Sequence, residues 1–185
     1  MSVVASVTDA SQPVLVVGPS WVGDMVLAHS LFKVLQARRP GVVIDVLAPP
    51  WSRPLLERMP EVRHALDLPL GHGVLGLGVR YRLGRQLRER GYGQAILLPN
   101  SLKSALVPFW ANIARRTGFL GEGRFGLLND IRPLDRARLP RTVDRFVALG
   151  LDPGEALPSP LPFPALRNGV QGAGSLAGPG QSPGG

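Results

Sequence analysis

The chain has 185 residues, 44% of them apolar and none a cysteine. That is enough for one ordinary core, and it excludes a disulfide framework, a thiolate metal site and a cysteine nucleophile. With 21 basic residues against 13 acidic ones, the formal charge is +8, which favours anionic partners: nucleic acid, phosphorylated glycans or an anionic membrane face. Nearly all of that charge is arginine, since Lys33 and Lys103 are the only lysines. The guanidinium fork suits phosphate and carboxylate oxygens, although a GC-rich genome would produce the same excess. No apolar run approaches the roughly 18 residues of a membrane span. Residues 1–13 carry Asp9 and no basic start, so they read as a flexible arm and not as a signal peptide. A soluble, cytoplasmic protein is expected, at most touching a membrane.

PVLVVG, ending at Gly18, is a short continuous apolar run, as in a strand covered on both faces. Residues 24–38 follow with Leu27, Leu31, Val34 and Leu35 at helical spacing, closed by Pro40 and Gly41. Residues 42–50 read as a second strand, 54–60 as a short helix and 62–70 as a weaker third strand. A basic amphipathic helix is expected over 80–90, with Leu83 and Leu87 inward and Gly91 as its stop. AILLPNS, from Ala95, is the clearest later strand and ends at Pro99; an apolar helix over 101–110 follows, capped by Asn100 or Ser101. Residues 141–149 make the last helix. Alternating strands and helices predict an α/β fold: a Rossmann-like parallel sheet with helices on both faces and its sites at the carboxyl ends of the strands. The ordered domain is expected over residues 14–163. From 164 to 185 the texture is Pro, Gly and Ser without period, and a disordered tail is expected.

Gly18 and Gly23 have the spacing of a phosphate-binding G-x-x-x-x-G-K-[ST] loop, but Asp24 and Met25 stand where Lys and Ser/Thr belong. A carboxylate there repels phosphates, so a kinase or ATPase reading fails. The G-x-G-x-x-G dinucleotide pattern is also lacking. Asp45 lies at the distance of a ribose-binding acid but inside its strand, and it reads as structural. Two readings of Asp24 stay open. It stabilises a helix macrodipole, or it is a carboxylate at an open rim that accepts a proton from a substrate hydroxyl. Lys103 opposes the dipole of the helix it begins. With the amides of the capping turn and the later Arg115–Arg116 pair it forms a candidate anion-binding surface, the alternative being a solvated basic turn. His29, His64 and His72 lack zinc-helix spacing and no D-x-D pair exists, so no metal is implied. Trp21, Trp51 and Trp110 read as packing residues, though Trp21 and Trp51 fall in loops where a ring stacks on a sugar face.

GPSWVGDMVLAHSLFKVLQARRP, DVLAPPWSRPLLERMPEV, PLGHG, LPNSLKSALVPFWANIARRTGF and RFGLLND, in that order, closely resemble the N-terminal half of the lipopolysaccharide heptosyltransferase II family (glycosyltransferase family 9). The likeness runs over about residues 14–164. It implies the N-terminal, acceptor-binding domain of a GT-B fold, in which ADP-heptose donates heptose to the lipopolysaccharide inner core with inversion and without a metal or other cofactor. One general base suffices for such a single displacement. By resemblance that base is Asp24, and Lys103, in N-S-x-K-S with Asn100 and Ser101, binds the anionic heptosyl-Kdo-lipid A acceptor. Trp51, Arg53, Arg115 and Arg116 are expected on the same surface, and Gly18 and Gly23 near the donor phosphates. The family places this acceptor at the anionic inner face of the inner membrane, so a peripheral cytoplasmic location is implied. The family continues into a second, donor-binding domain that is absent here, so a truncated member unable to transfer alone is expected. A non-catalytic domain that binds anionic glycolipid is the alternative. A nucleic-acid module is not favoured, because no aromatic-rich RNA motif or recognition helix accompanies the charge.

Overall fold

The computed structural model describes residues 12–71 and 73–167. The expected arm up to residue 11, His72, and the expected tail from residue 168 lie outside them. Six strands form one sheet: β1 (Val14–Val17), β2 (Ile44–Ala48), β3 (Val62–Asp67), β4 (Gln94–Leu97), β5 (Arg115–Phe119) and β6 (Asp130–Arg132). Their order is β3-β2-β1-β4-β5-β6, and every pairing is parallel. The helices are α1 (Val22–Arg38), α2 (Arg53–Leu56), α3 (Leu77–Leu87), α4 (Leu106–Trp110) and α5 (Thr142–Ala148). This is the expected α/β, Rossmann-like fold.

The two faces follow from the strand period of two. Val14 and Val16 point to one side, into a core with Met25, Ala28, Leu31, Phe32 and Leu35 of α1 and Phe146 of α5. Leu15 and Val17 point to the other, against Leu87 of α3 and Val107 of α4. All four side chains are buried, which is why this strand reads as an unbroken apolar run. Buried residues ring α1 from Met25 to Leu35 because it lies between the sheet and α5.

Two expectations are corrected. Residues 101–110 do not form one helix: a 3-10 turn, Leu102–Ala105, precedes the short α4, and no side chain of Ser101 caps it. Pro108 supplies no N–H, so it is tolerated only in a helix's first turn. Arg115 and Arg116, read as a basic turn, begin β5. Their strand, RRTGF, lacks a continuous apolar run, so its pairing with β4 is decided by the sheet and not by local pattern.

Residues 162–167 run without regular structure along α1 and α2. Ser30 donates to the carbonyl of Pro162 at 2.6 Å, the amide of Ala165 donates to His29 Nδ1 at 3.3 Å, and Arg58 bonds Arg167. The fully buried His29 ring faces Glu61 with its other nitrogen, 2.6 Å away.

Candidate active site

In the order β3-β2-β1-β4-β5-β6 the winding reverses between β1 and β4. At such a switch point the two adjoining connections leave in opposite directions and open a crevice outside the carboxyl ends of the strands. The chain after β1 leads through residues 18–21 into α1, and the chain after β4 leads into the Lys103 turn. Asp24 and Lys103 therefore flank the same crevice.

Asp24 is the third residue of α1 and is half-buried. Among the described residues no hydrogen bond or ion pair engages its carboxylate. Trp21, the residue before the helix, makes no side-chain cap, so α1 presents its amino end to the crevice without one. Trp21 itself is 69% exposed.

The two glycines expected near donor phosphates differ in their surroundings. Gly18 is buried, and a Cβ there would stand 2.7 Å from Met25 Cε and 3.3 Å from both Ala48 Cβ and Val46 Cγ1. A side chain there would have to displace core atoms. Gly23 is exposed in the first turn of α1, with nothing within 4 Å of where a Cβ would stand. The bare backbone there is open to a close-lying ligand.

Lys103 is half-buried in its 3-10 turn, and its ammonium has no ion pair among the described residues. Asn100 is exposed, and Gly121 packs against its backbone so closely that a Cβ would lie 2.6 Å from the Asn100 carbonyl oxygen. The Ser101 carbonyl accepts from Ser104 Oγ at 2.6 Å. Trp51 is exposed in the turn Pro50–Ser52 that follows β2, one strand from β1 on the same rim. Arg53 lies there too, but its guanidinium is engaged by Asp67 at 2.8 Å. It also borders a cavity of about 400 Å³ between β3 and α3, whose lining includes Asp67, Gln86, Glu89 and Arg90.

Arg115 and Arg116 are not brought to this rim. Arg115 pairs in register with Gln94, which pairs with Val14, so both arginines lie level with the amino ends of β1 and β4. Arg115 donates to Asp130 at 2.8 Å, and Arg116 donates to the carbonyls of Leu127 and Ile113, both at 2.6 Å. Burial lowers the Arg116 pKa from its usual value. A parallel strand carries its first residues to the opposite edge, so the expected shared anion surface does not include them.

Asp45 is fully buried and structural, as read. Arg63 grips it with two hydrogen bonds of 2.9 and 2.7 Å, and the Tyr92 hydroxyl donates at 2.5 Å. Burial alone would raise its pKa, but these donors hold it below the usual carboxylate range. Among the described residues no group of three or more His, Asp or Glu side chains is placed to hold a metal ion.

Sequence reasoning missed two residues behind the crevice, Arg80 and Arg124, which are 4% and 0% exposed. Arg80 gave a signal: it stands three residues before Leu83 and seven before Leu87, on the helix's inward stripe. A charge at such a position demands buried partners. Arg124 sits in a Gly-rich loop with no period to read.

A doubly wound parallel sheet with an unengaged carboxylate at its first β–α junction defines a Rossmann-like ligand-binding domain. The sequence profile of glycosyltransferase family 9 (heptosyltransferase) matches residues 80–168. It is 55% identical over 159 residues to lipopolysaccharide heptosyltransferase 2 of Escherichia coli K12, a match covering 83% of this chain and 46% of that protein. The identity is 51% over 154 residues with lipooligosaccharide heptosyltransferase 2 of Haemophilus influenzae, covering 83% of this chain and 44% of that one. The solved structure of the E. coli ADP-heptose lipopolysaccharide heptosyltransferase II superposes with a TM-score of 0.79 at 49% identity, covering 86% of this chain and 47% of that one. The chain thus spans about half the length of the curated relatives it matches.

Proposed function

We propose that this chain is the acceptor-binding half of an inverting, metal-independent heptosyltransferase that transfers heptose from ADP-heptose to the lipopolysaccharide inner core. The observation that carries the proposal is the Asp24 carboxylate, unengaged among the described residues, in the first turn of α1 beside the switch point of the sheet. In this reading the acceptor hydroxyl lies against Asp24. Its oxygen attacks the anomeric carbon as the carbon–oxygen bond to ADP breaks on the opposite face. The bonding pair leaves with the diphosphate, and the hydroxyl proton passes to the carboxylate. Inversion follows from the single in-line displacement.

Lys103 binds a phosphate of the heptosyl-Kdo-lipid A acceptor, with Asn100 and Ser101 shaping its turn. Trp51 and Arg53 border the acceptor on the β2 side. Gly23 leaves room for a ligand at the amino end of α1. The ADP moiety falls to the length of the relatives that this chain does not span. The acceptor is a glycolipid, so the protein works in the cytoplasm against the anionic inner face of the inner membrane. No helix among the described residues is long and apolar enough to cross it.

The test is Asp24→Asn in a counterpart spanning the relatives' full length. Turnover is expected to fall about 10²–10⁴-fold, the usual worth of a general base, with acceptor affinity retained. Turnover near that of the unmodified enzyme would reduce Asp24 to a helix-terminus charge.

A further inference from the structure

Arg80 and Arg124 are large, charged and sealed from solvent, and among the described residues neither makes an ion pair. Their partners are backbone carbonyls and one hydroxyl. Arg124 donates through Nη1 to the Pro99 carbonyl at 2.8 Å and to Ser104 Oγ at 3.1 Å, and through Nη2 to the Phe119 carbonyl. Among the described residues its buried Nε has no partner. Arg80 donates from Nε to the Leu75 carbonyl at 2.7 Å and from Nη1 to the Lys103 carbonyl at 3.2 Å. The turn that carries Lys103 is therefore held from two sides by guanidinium ions.

An unpaired buried charge destabilises a fold, and an apolar side chain of similar volume would pack such a site better. A guanidinium stays protonated even there. Burial lowers the pKa of both groups, which marks the strain of keeping the charge inside. Glu122, the carboxylate nearest in its influence to Arg124, accepts from the Leu102 amide of the same turn at 2.8 Å.

We infer that Arg80 and Arg124 are positioning residues that gather the carbonyls of the Lys103 turn inward and so preorganise it for a phosphate-bearing ligand. The inference rests on the proposed reading of this rim as the acceptor site. Neither arginine touches the ligand. Each acts through the backbone of residues 99–104.

Binding to the 185-residue chain is measured by calorimetry with two probes: de-acylated, phosphorylated heptosyl-Kdo-lipid A, and the same saccharide after phosphatase treatment. The unmodified chain is expected to prefer the phosphorylated probe. Arg80→Met and Arg124→Met should each cut that preference about tenfold, the worth of one charge-assisted contact, and Lys103→Ala should remove it. In the Lys103→Ala background Arg124→Met should cause no further loss, because both act on one contact. Arg124→Lys should fall nearly as far as Arg124→Met, since an ammonium cannot span the Pro99 and Phe119 carbonyls together. Unchanged preference in both methionine variants, losses that multiply with Lys103→Ala, or full recovery in Arg124→Lys would each overturn the inference. Melting curves accompany every variant. Should Arg124→Met not fold, Arg80→Met and Arg124→Lys carry the test. A chain whose probe preference survives Lys103→Ala would instead sink the reading of the rim beneath it.

Discussion

The missing Cβ of Gly18 would lie 2.7 Å from the thioether methyl of Met25. Met25 is fully buried and is the next residue after Asp24, so the first turn of α1 is seated directly on the end of β1. The position of the proposed base is thus fixed by packing two residues of the core against each other.

Gly18→Ala is expected to destabilise the fold by about 1–3 kcal/mol through overpacking. The Met25 end is flexible and yields, but Ala48 and Val46 already stand at 3.3 Å. Gly84→Ala should cost more, because the new methyl meets backbone: the Val107 carbonyl at 3.0 Å and the Ala111 nitrogen at 3.2 Å, besides Trp110 Cβ at 2.7 Å. Paired denaturant titrations rank the two, and equal midpoints would contradict the distinction.

Gly23→Ala should separate stability from function. The site is helical and open, so alanine should stabilise α1 by about 0.5–1 kcal/mol. A ligand lying close against the amino end of α1 would lose room, raising the acceptor or donor KM in a full-length counterpart. A higher melting temperature with unchanged kinetics would show that no ligand approaches there.

Acid stability follows from three carboxylates held below their ordinary range. Burial alone would raise Asp45, Glu61 and Asp130, but Arg63 and Tyr92, then His29 and Lys33, then Arg132, Thr117 and Arg115 outweigh it. A carboxyl whose folded pKa is depressed binds its proton less well in the fold. Its contribution is present above about pH 4, the unfolded value, and disappears as pH falls through the lower folded value. Melting temperature should therefore drop steeply below about pH 4. Asp45→Asn should lower stability by about 3 kcal/mol at neutral pH and flatten that acid slope. A variant with the unmodified slope would remove Asp45 from the account.

The 185-residue chain should bind the acceptor saccharide and transfer no heptose to it, since the donor falls to the unspanned part of the relatives. Calorimetry beside a radiolabelled transfer assay reads both. Appreciable transfer by this chain would contradict the division of labour proposed here.

The strand β1, the helix α1 and the place of Asp24 between them were legible in the sequence. A run of four apolar residues, two glycines and a 3.6-residue period are local signals that need no partner. Gln94–Leu97 was legible for the same reason, and so was the place of Lys103 just beyond its carboxyl end, though not the 3-10 turn that carries it. β5 and β6 were not. Arg115 and Arg116 read as a cationic patch because charge is visible in a sequence, whereas the edge of the sheet on which a residue lands is not. Arg80 was half legible, a charge on an apolar stripe, but its acceptors are carbonyls of loops distant in the chain.

The alternation of elements, the core-forming periods and the chemical character of the β1–α1 junction are written locally, because they depend on neighbours within one turn or one strand. The tertiary structure alone decided which loops meet. The order β3-β2-β1-β4-β5-β6 sets Asp24 and Lys103 on one crevice, sends Arg115 and Arg116 to the far edge, and buries Arg80 and Arg124 behind the Lys103 turn. Such meetings depend on how the strands wind about β1, which no local pattern of residues encodes.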